Sequence, residues 1–132
     1  MTTAKPKKIL VVEDESMMRG IETRELASNG FNVKEAVDGE SALKVWVKER
    51  PDLVLLDLTI PEIDGFEVLK TIRSKTEDPE LANTPVIVLS NLWSNADILR
   101  AKDLKIQGYL VKAYFTTDDI LKKVQEVLGL NK

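Results

Sequence analysis

Five short apolar runs rich in β-branched residues punctuate the chain: Ile9-Leu10-Val11-Val12, Phe31 to Ala36, Leu53-Val54-Leu55-Leu56, Val86-Ile87-Val88-Leu89 and Tyr109-Leu110-Val111. Three of them are apolar at every position, without the alternation a strand shows when one face meets water. Strands buried on both faces belong to a parallel sheet covered by helices on both sides. Helical spacing fills the gaps. Leu43, Trp46, Val47 and Arg50 are predicted to share one face of a second helix, and Phe66, Leu69 and Ile72 one face of a third. The sharpest stripe is the last, Ile120, Leu121, Val124, Val127 and Leu128, behind a capping box Thr116-x-x-Asp119. Ser16 to Ser28 and Ser94 to Leu104, the latter with the box Ser94-x-x-Asp97, are less sharply amphipathic helices. The polar stretch Ser74 to Thr84 reads as a long loop.

Five strands alternating with five helices predict a doubly wound α/β domain whose crossovers are right-handed. In such a sheet, ligands bind beyond the carboxyl ends of the strands, where the strand order reverses. Those ends carry the chemistry: Glu13-Asp14-Glu15 after the first run, Asp57 after the third, Ser90 after the fourth and Lys112 after the fifth. Taken singly, each has an ordinary explanation, as helix-start acids, turn residues or a solvated lysine. Their convergence on one rim changes that. Carboxylates gathered in a crevice repel one another unless a cation sits among them, and hard oxygen donors suit Mg²⁺, or Mn²⁺.

Composition narrows the chemistry further. The 132 residues form one domain, long enough to bury roughly two-thirds of the unfolded surface without a disulfide or structural metal. With no cysteine and no histidine, the chain offers no thiolate nucleophile, no zinc site of the usual kind, no imidazole base and no phosphohistidine of its own. Nineteen Lys+Arg against 22 Asp+Glu leave a net charge of −3 with no block of like charges, so no footprint for nucleic acid or an anionic membrane is expected. No apolar run approaches the ~20 residues of a membrane helix, and Met1 to Pro6 lacks the apolar core of a signal peptide, which predicts a cytoplasmic protein. The turn Glu13-Asp14-Glu15-Ser16 has no glycine to cradle a nucleotide phosphate, and its charge would repel one. A phosphoryl group carried on Asp57 is different, because a divalent cation and Lys112 together can neutralise its oxygens.

The residues Glu13-Asp14, Asp57, Ser90 and Lys112, with the stretches Asp57-Leu58-Thr59-Ile60-Pro61-Glu62-Ile63-Asp64-Gly65 and Gly108-Tyr109-Leu110-Val111-Lys112, resemble the receiver domain of bacterial two-component response regulators. The resemblance runs from about Lys8 to Leu128, and all five functional positions occur in order. It implies a flavodoxin-like five-stranded parallel sheet and a single receiver domain over residues 1–132, of the stand-alone chemotaxis type with no effector domain. Asp57 would be the phosphoacceptor, taking its phosphoryl group from a sensor histidine kinase or histidine phosphotransfer protein and switching the binding of a downstream protein. Asp14 and Asp57 would bind Mg²⁺ directly with the backbone carbonyl of Thr59, and Glu13 largely through water. Lys112 would pair with a phosphoryl oxygen. Ser90 would donate its hydroxyl to the phosphoryl group and make room for Tyr109 to turn inward, while Pro61 and Gly65 shape the loop, Gly65 by a positive φ.

Three positions depart from the family pattern. Asn91, with Leu92 and Trp93 behind it, replaces the usual small residue after the switch hydroxyl, Ile60 stands where many members have Met, and Ala113 replaces the usual proline. Without proline a cis peptide costs about 2.5–4 kcal/mol, so a trans Lys112–Ala113 bond is expected. Leu92, Trp93 and Leu99 read as core more readily than as an exposed recognition patch. Two rival functions follow from the same fold. One is a binding module that has lost phosphorylation, disfavoured because every acceptor-site residue is present. The other is a Mg²⁺-dependent aspartyl-nucleophile phosphatase, disfavoured because Thr59 stands where such enzymes carry a second aspartate as general acid.

Overall fold

The computed structural model describes residues 5–92 and 94–130. Each apolar run becomes a strand: β1 (Lys8–Val12), β2 (Asn32–Ala36), β3 (Leu53–Leu56), β4 (Val86–Ser90) and β5 (Gly108–Val111). They form one parallel sheet in the order β2-β1-β3-β4-β5. The helices are α1 (Ser16–Ser28), α2 (Gly39–Glu49), α3 (Gly65–Ser74), α4 (Pro79–Ala82), α5 (Asn95–Asp103) and α6 (Thr117–Val127), with a 3-10 turn at Lys112–Tyr114.

Period-2 alternation splits the strands between two apolar layers. Leu10, Val12, Val54, Leu56, Val86 and Val88 face Trp46 of α2 and Phe66, Leu69 and Ile72 of α3. Ile9, Val11, Leu53, Leu55, Ile87 and Leu89 face Leu26 of α1 and Ile120, Leu121 and Val124 of α6. Both faces are covered, as the unbroken apolar runs require. The chain leaves β1 for β2 on one side and returns to β3 on the other, so the crevice between the carboxyl ends of β1 and β3 is the reversal point.

Capping chemistry sets the helix starts. Asp38, Asp64, Ser94 and Thr116 each accept an N–H from the first turn of the helix they precede. Thr116 and Asp119 form the complete capping box; at Ser94 the Asp97 carboxylate takes the serine hydroxyl, so only half of that box forms. Four expectations need correction. Val47 is 48% exposed, because the buried stripe of α2 runs through Gly39, Ala42 and Trp46, and Val47 lies about 100° further round. Arg50 is not on that face either: it closes α2 in the left-handed conformation, with its guanidinium on Asp78. The segment from Ser74 to Thr84 is not all loop, since Asp78 caps the one-turn helix α4 opened by Pro79. Finally, Leu99 is 61% exposed because Ala101 alone of α5 is buried, whereas Leu92 packs against the core and Trp93 lies outside the described residues.

A candidate acidic site at the carboxyl edge of the sheet

The alternation that fills the core also aims the polar groups. Glu13 continues the parity of Ile9 and Val11, Asp57 that of Leu53 and Leu55, and Lys112 that of Leu110, so all three emerge on the α1/α6 side of the sheet edge. The Lys112 ammonium bonds Glu13 Oε1 at 2.5 Å and Asp57 Oδ2 at 2.8 Å. Asp57 Oδ1 accepts the backbone N–H of Thr59 at 3.0 Å and its hydroxyl at 3.1 Å. Both acids are buried, whereas Asp14 beside them is exposed.

Donor oxygens of Glu13, Asp14 and Asp57 lie within 4.8 Å of one another, which brings together three of the predicted ligands. One ammonium cannot satisfy three carboxylates. Burial pushes the Glu13 carboxyl above its ordinary range, and Asp57 adds to this, while Lys112 opposes it. Burial works against the Lys112 ammonium, but its hydrogen bonds to Asp57 and Glu13 prevail and hold its pKa above the usual lysine value. The residual negative charge, on hard oxygen donors, fits Mg²⁺.

Ser90 and Tyr109 meet at the backbone of one residue, Leu92. The fully buried Ser90 hydroxyl oxygen accepts the N–H of Leu92 at 3.2 Å, and the Tyr109 hydroxyl donates to the Leu92 carbonyl at 2.6 Å. Burial raises the phenol pKa, helped by Asp97 and Asp57. The Tyr109 hydroxyl thus already has a partner in the loop between β4 and α5. Asn91 is exposed. The Lys112–Ala113 peptide is trans, like every peptide among the described residues, and Lys112 nevertheless reaches the acids. Strand β5, anchored by the buried Leu110, therefore places the lysine without a cis bond.

Gly65 acts differently from expectation. Its φ is not positive; the left-handed residue of this loop is Glu62, at φ 67°. Glycine is required at 65 because a Cβ would lie 2.4 Å from Leu58 Cα and 2.6 Å from the Asp57 carbonyl, where the Gly65 N–H closes onto Leu58 O at 3.0 Å. A second close approach, at Gly39, seats the start of α2 on the same loop: its N–H bonds the Pro61 carbonyl, and a Cβ would meet the Ile63 carbonyl at 1.8 Å.

Sequence reasoning missed two residues here and a second role for a third. Thr59 was expected to act through its carbonyl, yet its N–H and hydroxyl also hold Asp57; an acid followed two residues later by threonine is the signal of such a turn. Arg19 bonds the backbone behind the acids. Glu22 is buried in α1, its Oε2 without a partner among the described residues, and the weak amphipathicity of that helix was its only trace.

A family model described as the response regulator receiver domain matches residues 9–125. The chain belongs to the receiver family of response regulators. Among curated relatives, response regulator MprA of Mycolicibacterium vanbaalenii is 34% identical over 123 residues, covering 93% of this chain and 51% of its own. The probable transcriptional regulator ycf27 of Porphyridium aerugineum is also 34% identical, over 92% of this chain and 48% of its own. The receiver spans about half the length of these relatives. The solved structure of chemotaxis response regulator CheY4 of Vibrio cholerae superimposes with a TM-score of 0.83 at 30% identity, covering 92% of this chain and 98% of that one. The receiver domain of the Francisella response regulator 1452 gives a TM-score of 0.84 at 28% identity, over 96% and 99% of the two chains. The receiver therefore shares the five-stranded parallel fold with signalling modules of two-component systems. Among its described residues no helix is long and apolar enough to cross a membrane.

Proposed function

We propose that this receiver takes a phosphoryl group onto Asp57 from the phosphohistidine of a sensor histidine kinase or histidine phosphotransfer protein, and that the modification switches binding of a downstream protein. The observation that carries this reading is the setting of the Asp57 carboxylate. It lies buried at the reversal point of the sheet, with an ammonium 2.8 Å from one oxygen and two further acids converging beside it. These 132 residues contain no histidine, so the donor imidazole lies outside them.

In the transfer, an Asp57 carboxylate oxygen attacks phosphorus, the bond from phosphorus to the donor imidazole nitrogen breaks, and that nitrogen keeps the electron pair and takes up a proton. Asp14 and Asp57, with the Thr59 carbonyl, would hold Mg²⁺, and Glu13 would assist through water. A bound divalent cation supplies neutralisation of the carboxylates and of the incoming phosphoryl oxygens. Thr59 orients Asp57 Oδ1 through its N–H and hydroxyl. Lys112, which already holds Oδ2, pairs with a phosphoryl oxygen once the acyl phosphate has formed. Ser90 then turns its hydroxyl toward that group. The turn withdraws the acceptor of the Leu92 N–H, and the Leu92 backbone, whose carbonyl accepts from Tyr109, carries the change to that side chain. The receiver is thereby a switch that modifies only itself, in the cytoplasm.

Asp14→Ala tests the metal arm. Wild-type protein should bind Mg²⁺ in a calorimetric titration, and the variant should lose that binding while keeping or gaining thermal stability, because one member of a repelling cluster is gone. Unchanged Mg²⁺ affinity would place the metal elsewhere. In the same samples a phosphoryl mimic should shift the amide signals of Leu92 and Tyr109 in the wild type. Identical spectra with and without the mimic would contradict the switch.

A further inference from the structure

The acids are not held equally. Glu13 and Asp57 are tied through Lys112, and Asp57 also through Thr59, but the exposed Asp14 carboxylate has no hydrogen bond among the described residues. Its position is therefore set by the backbone of the turn between β1 and α1. That backbone is gripped from behind. Arg19, one turn into α1, donates from Nη1 to the Glu13 carbonyl at 3.0 Å and, more weakly, to the Asp14 carbonyl at 3.4 Å, while its Nε donates to Glu35 Oε1 on β2 at 3.0 Å. The Glu13 N–H bonds the Ala36 carbonyl of β2 at 3.0 Å, so the turn is fastened to β2 on both sides. The Arg19 side chain is 19% exposed, and its planar fork is what lets one group reach two carbonyls and a carboxylate at once.

We infer that Arg19 is a positioning residue for the metal site, fixing the backbone that presents Asp14 and Glu13 to the divalent cation. The inference rests on the metal reading of Glu13, Asp14 and Asp57 given above. It also predicts a sign. Removing a positive charge beside an acidic cluster should strengthen cation binding if charge alone mattered. Loss of the grip on Glu13 and Asp14 should weaken it, and groups that orient metal ligands typically change affinity 10- to 100-fold.

The test is Mg²⁺ titration calorimetry of the full chain as wild type, Arg19→Ala and Arg19→Lys, with amide hydrogen exchange of each metal-free protein. The expected results are Mg²⁺ affinity at least about tenfold lower in Arg19→Ala, and lowered in Arg19→Lys too, since an ammonium keeps the charge but not the fork. Exchange at Glu15, whose N–H bonds Glu13 Oε2 at 3.2 Å, should quicken in both variants while the amides of β3 and β4 stay protected. Equal or tighter Mg²⁺ binding by Arg19→Ala would overturn the inference, as would unchanged exchange at Glu15. Faster exchange throughout the sheet would show a general structural role and overturn it as well. Absence of Mg²⁺ binding by the wild type would overturn the metal reading itself and the inference with it.

Discussion

Replacing Glu22 with leucine is expected to raise the stability of this receiver at pH 7 by roughly 3 kcal/mol and to flatten its dependence on pH between about 4.5 and about 8. Glu22 sits on the inward face of α1, 2% exposed, with Oε2 unpartnered among the described residues. Burial, and then the charge of Glu13, raise its carboxyl from 4.5 to about 8; Lys112 opposes this, while Asp57 and Glu15 add to it. At intermediate pH the folded chain keeps a proton that the unfolded chain releases. Stability from this group is therefore complete below about pH 4.5, falls by about 1.4 kcal/mol per pH unit above it, and is gone above about pH 8. Leucine, with similar volume and no polar atom, removes the slope. Urea unfolding of both proteins across that range checks it, and parallel curves for wild type and variant would contradict the assignment. A gain of this size is large beside the 5–15 kcal/mol by which domains are ordinarily stable.

Lys112→Met should have the opposite effect. The ammonium is shared by two carboxylates whose side chains are 1% and 4% exposed, so its removal leaves two buried charges without their cation. Breaking a buried pair from one side costs about 3–5 kcal/mol, and that loss is expected for metal-free protein near neutral pH. The burden lies in the surviving charges, so a second change that removes one of them, Asp57→Asn in the Lys112→Met background, should recover much of the loss. Mg²⁺ should also stabilise Lys112→Met more than it stabilises the wild type. Additive effects of the two substitutions would show that Lys112 and Asp57 do not act on each other.

These two residues mark how far the sequence could be read. Lys112 was legible because a strand fixes parity: once Tyr109-Leu110-Val111 was read as buried, the next residue had to leave at the sheet edge, and the trans bond to Ala113 followed from the absence of proline. The same logic placed Glu13, Asp57 and Ser90. The five strands, the apolar faces of α3 and α6 and the caps Ser94 and Thr116 followed from the apolar runs and the capping boxes, whereas Val47 and Arg50 were misplaced on α2 and the order of the strands was not read from the pattern. Glu22 was not legible, since a glutamate inside a weakly amphipathic helix looks like a solvated residue until tertiary packing closes over it. Arg19 was hidden for a related reason: its partners are main-chain carbonyls and a residue on β2, which no local pattern encodes. Gly65 was placed in the right loop for the wrong reason, because close approach of the Leu58 backbone and positive φ leave the same mark in a sequence.

The central claim is that Asp57 receives the phosphoryl group. Intact-mass spectrometry of the protein incubated with acetyl phosphate and Mg²⁺ tests it most directly, beside Asp57→Asn and a sample containing a metal chelator. The expected result is the mass of one added phosphoryl group on the wild type alone, lost on treatment with hydroxylamine, which cleaves acyl phosphates. An unmodified wild type, or the same addition on Asp57→Asn, would contradict it.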